Sequence, residues 1–118
     1  MTSEKLHIVP KGWGFEKWIT NNEKYCGKLL YFIKDRKCSF HLHKLKEEHF
    51  YLFSGKLVIY HGFDHDKKLA SITVMEPGDV FHVPIGLVHQ MHALQDSQLF
   101  EFSTQHFDED SYRIEKGD

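Results

Sequence analysis

Residues 39–55 read SFHLHKLKEEHFYLFSG. Two short aromatic and apolar runs flank a charged link. The run Ser39–His43 has strand character. Side chains alternate between the faces of a strand, so His41 and His43 share one face and Phe40 and Leu42 take the other. Two imidazoles turned toward an interior are costly unless they are paired or metal-bound. Lys44-Leu45-Lys46-Glu47 makes a charged loop, and a chain reversal there returns Glu48 to the histidines.

Outward from this stretch, Lys28–Ile33, Phe50–Phe53, Leu57–Tyr60, Leu69–Val74, Val80–Val83 and Leu99–Ser103 also read as strands. Asn21-Asn22, Ser54-Gly55, Pro77-Gly78-Asp79 and Pro84-Ile85-Gly86 punctuate them as turns. After the last of these, His89 starts another strand. No amphipathic helix exceeds two turns. Many short strands with Gly/Pro turns predict an all-β sandwich or closed barrel. Closure into a jelly-roll barrel removes most exposed edges, and its interior suits a small ligand. The 118 residues form a single domain, with the core at about 12–107 and terminal arms outside it.

Composition narrows the function classes. Hydrophobic residues make up 41% and charged residues 27%, which is ordinary for a globular domain. The formal net charge of −2 gives no support to nucleic-acid binding. No stretch approaches the roughly 20 apolar residues of a membrane helix, and no secretory apolar segment opens the chain. Cys26 and Cys38 then read as free, buried thiols, which implies a cytoplasmic location. Ten histidines are many for a domain of this size. Together His41, His43, Glu48 and His89 suit one divalent ion such as zinc, manganese, iron, cobalt or nickel.

The run from His41 through His43 to Glu48, then six residues to Gly55, resembles the first motif of the cupin superfamily, H-x-H-x(3,4)-E-x(6)-G. Gly78, Pro84, Gly86 and His89 resemble the second, G-x(5)-P-x-G-x(2)-H, with Ala93 where the usual closing Asn stands. The resemblance implies a cupin-type jelly-roll barrel with those four metal ligands. A narrower resemblance, to the type II mannose-6-phosphate isomerase domain, covers nearly the whole chain. Lys11-Gly12-Trp13-Gly14-Phe15-Glu16 looks like that family's opening, Glu48-His49-Phe50 like its E-H-W, and Phe100–Asp110 with Tyr112-Arg113-Ile114-Glu115 like its closing run. It implies a sugar or sugar-phosphate substrate. Many bifunctional members carry Gln where His41 stands, so the donor set here is fuller. Their nucleotidyltransferase domain has no counterpart in this sequence.

Several other residues carry two readings. Glu101 is either the general base of an isomerase or a salt-bridge partner. His82 is either a proton-transfer group lining the pocket or a packed histidine. Both histidines that flank the second motif, His82 and His92, are candidates for the pocket, His92 as a substrate contact. Arg113 either grips an anionic substrate bidentately or makes a surface ion pair. His49 points away from Glu48, to a structural or subunit contact. His7, His61, His65 and His106 look like loop or terminal residues, and Trp13, Trp18 and Tyr25 like core or dimer surface. Apolar residues such as Phe40 and Leu42 on outer faces predict a homodimer. The expected function is a metal-dependent sugar or sugar-phosphate isomerase. Another metal-dependent cupin enzyme, a dioxygenase or lyase, and a non-catalytic sugar-binding or regulatory module are the alternatives.

Overall fold

A computed structural model of the chain describes residues 5–118. Eleven strands follow one another: β1 (His7–Lys11), β2 (Gly14–Asn21), β3 (Cys26–Phe32), β4 (Phe40–Leu42), β5 (Glu48–Ser54), β6 (Leu57–Gly62), β7 (Ser71–Met75), β8 (Val80–Val83), β9 (Val88–Ala93), β10 (Ser97–Ser103) and β11 (Tyr112–Glu115). Single 3₁₀ turns at Lys67–Leu69 and Asp108–Asp110 are the helical elements among the described residues. The strands form two antiparallel sheets, ordered β1-β2-β3-β10-β5-β8 and β11-β4-β9-β6-β7. This is the jelly-roll barrel expected from the sequence.

Strict alternation builds the interior. Along β3 and β5 every second residue is buried, from Cys26 to Phe32 and from Glu48 to Leu52. The inward apolar side chains of both sheets meet in one cluster that includes Trp13, Leu30, Phe32, Leu52, Leu57, Met75 and Leu99. Trp13 stacks on Phe32 with ring centroids 4.2 Å apart. Six positions of this cluster, Phe32, Leu52, Leu57, Ile59, Ala93 and Leu99, are wholly shielded from solvent.

Two turns set the ends of the motifs. Gly55 has φ of +93°, and a Cβ there would lie 2.3 Å from Ser97 Oγ, so the β5–β6 turn admits only glycine. Gly86, at φ of +88°, donates its N–H to the carbonyl of His43 (2.8 Å). The second motif's turn is thereby pinned to the first motif's loop.

Some strand readings shift. Leu69 lies in a 3₁₀ turn before β7, not in the strand. Strands β1 and β11 lie outside the span 12–107 read as the core. Phe40 and Leu42 are not outer-surface residues: both are buried with Val88 in a second cluster, against which Ala70 and Ile114 pack. Strand β11 and the turn before β7 cover that side of β4, which spacing within β4 could not reveal. Among the exposed apolar side chains, Ile19, Tyr51, Phe53, Val80 and Phe102 lie on the six-stranded sheet, whereas Ile72 and Val74 lie on β7 of the other sheet.

Candidate metal centre

Both sheets supply the site. In the five-stranded sheet, β4 pairs with β9 so that His41 stands directly opposite His89. His43 follows one residue beyond β4. Glu48 opens β5 in the facing sheet. The loop from His43 to Glu48 is held by Asp110, a buried carboxylate that accepts from the backbone N–H groups of Lys44 (2.8 Å), Leu45 (3.1 Å) and Lys46 (3.0 Å).

The three histidines place one ring nitrogen each within 4.8 Å of one another. In each ring Nδ1 is committed to a main-chain carbonyl: Ser39 for His41 (2.8 Å), Asp110 for His43 (2.7 Å) and Leu87 for His89 (3.0 Å). A carbonyl only accepts, so Nδ1 must carry the proton, and the neutral ring keeps its lone pair on Nε2. Burial, reinforced by the neighbouring imidazoles, pushes His41 down to about 3, and burial pushes His89 down to about 3 as well. Both rings are therefore neutral donors at physiological pH.

Glu48 completes the group. Its Oε1 lies 3.1 Å from His43 Nε2 and 3.5 Å from His89 Nε2. Two ligands bound at about 2.1 Å to one ion are separated by about 3.0 Å at octahedral angles and about 3.4 Å at tetrahedral ones. Glu48 Oε1 and His89 Nε2 are both buried with no hydrogen-bond partner among the described residues. Orphaned polar atoms are expensive in an interior, and a divalent ion at their meeting point satisfies both. Burial raises the Glu48 carboxyl, but the Lys46 ammonium and the adjacent His43 ring outweigh it and hold the group at about 2. The residues present thus fit one divalent metal.

Beside the donors lies a buried ion pair. Lys46 Nζ is 3.0 Å from Glu101 Oε2 and 3.6 Å from Glu48 Oε2. Burial lowers the Lys46 ammonium, but the two carboxylates more than offset this and raise it. Ser103 Oγ also donates to Glu101 Oε2 (3.2 Å), so both hydrogen bonds to this carboxylate fall on one oxygen.

All of this lines a cavity of about 760 Å³ that also reaches Trp18, Lys28, His106, Arg113 and Lys116. Glu101 and Arg113 stand where the sequence expects pocket residues. His82 and His92 do not. On β8, Phe81 and Val83 point inward, so His82 faces out, stacked on His49 (centroids 4.5 Å) and 2.5 Å from Glu47 Oε2. On β9, His89 and Met91 line the cavity, and the two-residue period turns His92 to the other face.

Sequence reasoning missed three cavity residues, Lys28, His106 and Lys46. Lys28 is buried, 4.1 Å over the Trp18 ring and 3.8 Å from Glu16 Oε1. His106 sits against Lys46 Nζ (3.1 Å) and the edge of Trp18. For Lys28 the signal was available: it lies opposite Glu101 in the β3–β10 register, on the inward period of Leu30 and Phe32. For Lys46 there was none, since its partner is 55 residues away.

Comparison with known proteins bears on the fold. The capsular polysaccharide assembling protein CapF from Staphylococcus aureus is similar with a TM-score of 0.79 at 21% identity, over 96% of this chain and 35% of that one. KdgF from Halomonas sp. gives 0.73 at 17% identity, over 90% of both chains. Oxalate decarboxylase from Bacillus subtilis gives 0.77 at 18% identity, over 92% of this chain and 30% of that one. The chain therefore spans about a third of CapF and of the decarboxylase. A comparison with curated protein sequences gives no match. The family model described as Cupin matches residues 3–114. Two-sheet barrel, paired motifs and family match agree, and the chain belongs to the cupin family.

Proposed function

We propose that the protein is a metal-dependent isomerase of a sugar or sugar phosphate, holding one divalent ion through His41, His43, Glu48 and His89. The observation that carries this reading is the buried Glu101 carboxylate on the same cavity wall as the donor set. A bound divalent ion supplies Lewis-acid polarisation of a carbonyl and its neighbouring hydroxyl. Glu101 then has the role of general base. Its Oε2 is engaged by Lys46 and Ser103, which orients the group and leaves Oε1 to carry a proton between adjacent carbons. Arg113 and Lys116 line the same cavity and suit an anionic group such as a phosphate. The similarity to CapF, a capsular polysaccharide assembling protein, supports a sugar ligand. Buried, unpaired Cys26 and Cys38 support a reducing, cytoplasmic setting.

Metal-loaded protein incubated with mannose 6-phosphate and fructose 6-phosphate in deuterated water tests the reading. Deuterium should enter C1 or C2, and Glu101→Gln should slow the exchange at least tenfold. If no sugar phosphate or free sugar exchanges, the isomerase reading fails, and an oxygenase, lyase or sugar-binding role replaces it.

We also infer a homodimer formed through the outer face of the six-stranded sheet. Leu29, Phe100, Tyr51 and Val80 are register neighbours across four of its strands. With Phe53, Phe102 and Ile19 they offer roughly 500 Å² of apolar surface, most of the ~800 Å² per partner that a stable interface buries. Light scattering should give twice the mass of one chain, and Phe102→Glu should halve it; a monomeric wild type at micromolar concentration overturns the inference.

A further inference from the structure

The loop between His43 and Glu48 sends one of its two lysines inward. Lys44 stays outside, with Nζ 4.2 Å over the Tyr112 ring. Lys46 is 3% exposed and reaches the cavity wall. Asp110 fixes the backbone of this loop through three N–H groups, so Lys46 approaches from a defined position. Its ammonium touches three groups from separate segments: Glu101, His106 and Glu48.

Glu48 consequently has two unlike oxygens. Oε2 faces the Lys46 ammonium, and Oε1 faces the nitrogens of His43 and His89 with no hydrogen-bond partner. An ion seated among the histidines can take Oε1 directly. To take Oε2 as well it must approach a cation that two buried carboxylates hold in place. Hard and borderline ions accept carboxylates through one oxygen or two, and the second oxygen uses up a coordination position.

We infer that Lys46 is a positioning residue that keeps Glu48 a one-oxygen ligand and so would leave two positions of a six-coordinate ion open. The inference rests on the four-residue donor set of the preceding reading, but not on isomerase chemistry. A role confined to neutralising buried charge has a different signature. Losing that role loosens the site and weakens metal binding, whereas freeing Oε2 tightens it and displaces a water.

Manganese(II) alone is a sufficient probe. Wild type, Lys46→Met and Lys46→Arg are titrated with the ion, following free manganese by its electron paramagnetic resonance signal, and the water-proton relaxation per bound ion is measured. Lys46→Met should bind manganese(II) at least as tightly as wild type. Its relaxation enhancement should fall by about half, as one of two exchangeable waters in a six-coordinate site is lost. Lys46→Arg keeps a cation at Oε2 and should retain the wild-type enhancement. Should Lys46→Met fail to fold, Lys46→Met/Glu101→Gln removes both charges of the pair and carries the same expectation. Weaker manganese binding with unchanged enhancement per ion overturns the inference. So does a wild type that binds no manganese(II), which sinks the donor set too. Absent sugar exchange beside the expected relaxation change overturns only the isomerase reading.

Discussion

The two halves of the barrel interior are built from the same strands and behave as opposites. On β3 the inward sequence is Lys28, then Leu30 and Phe32. On β5 it is Glu48, then Phe50 and Leu52, and on β9 it is His89, then Met91 and Ala93. On β10, which runs the other way, Leu99 comes before Glu101. Each strand places its polar inward residue toward one end. That end is the cavity; the other is the apolar cluster around Phe32 and Leu99. Grouping the charges lets each carboxylate and ammonium find a partner, which a scattered arrangement inside a low-dielectric barrel cannot do. The apolar half stabilises the fold, and the polar half is left to chemistry.

The sharpest way to break this division is to strike each half and look for damage in the other. Phe32→Ala removes a fully buried ring from the apolar end. It should destabilise the protein by about 4 kcal/mol in denaturant unfolding while metal stoichiometry in the surviving folded protein stays at the wild-type value. His43→Ala should do the reverse: metal affinity falls by more than the roughly 100-fold that losing a supporting residue costs. Its metal-free unfolding midpoint should stay near that of the metal-free wild type. Equal metal content in His43→Ala and wild type would sink the donor assignment. Asp110→Ala tests the boundary, because its carboxylate supports the ligand loop through three N–H groups. A loss of about 3 kcal/mol should be accompanied by weaker metal binding.

Acid should strike the polar half alone. In metal-free protein His41 and His89 titrate near 3 when folded, against an ordinary value of 6.5. Between these values the unfolded chain binds more protons than the native one. Stability is therefore full above about pH 6.5 and declines as the pH falls toward 3, with a slope of at most about 1.4 kcal/mol per pH unit for each ring. Thermal melts of chelated protein at pH 7 and 5.5 check the sign; a melting temperature that rises on acidification contradicts the burial of these rings. The smallest effect belongs to His82→Gln, an exposed position outside the cavity. Stability should change by less than about 0.5 kcal/mol and metal content not at all.

The four residues of the proposed donor set were legible because two of them share a strand face and the others sit at fixed distances from glycine turns. The remainder of the cavity was not, and the reason is the same division of the interior. In β2 the apolar Phe15 and Ile19 face outward while Glu16 and Trp18 line the cavity, so the usual apolar-in pattern is inverted there. β1 contains Pro10 and sits at a sheet edge, and β11 is four residues whose half-buried Ile114 packs on the second cluster while Arg113 lines the cavity. His82 and His92 were misplaced because position relative to a motif says nothing about strand parity. Lys46 read only as part of a charged loop because Glu101, which draws it inward, is 55 residues away in the chain.

The support of the three histidines by main-chain carbonyls bears on how this site tolerates sequence drift. A carbonyl is present whatever side chain occupies positions 39, 87 or 110, so each Nδ1 keeps a main-chain acceptor; at position 39 the Ser39 hydroxyl adds a second contact to His41 Nδ1 (3.1 Å). Leu87 is thus free to vary without re-aiming the His89 ring, as long as the backbone keeps its course. Residue 110 is different, because its side chain and its carbonyl both serve the site. Diversification of the cavity walls by mutation, natural or directed, can therefore proceed around a proposed donor set whose ring orientation is set largely by chain path.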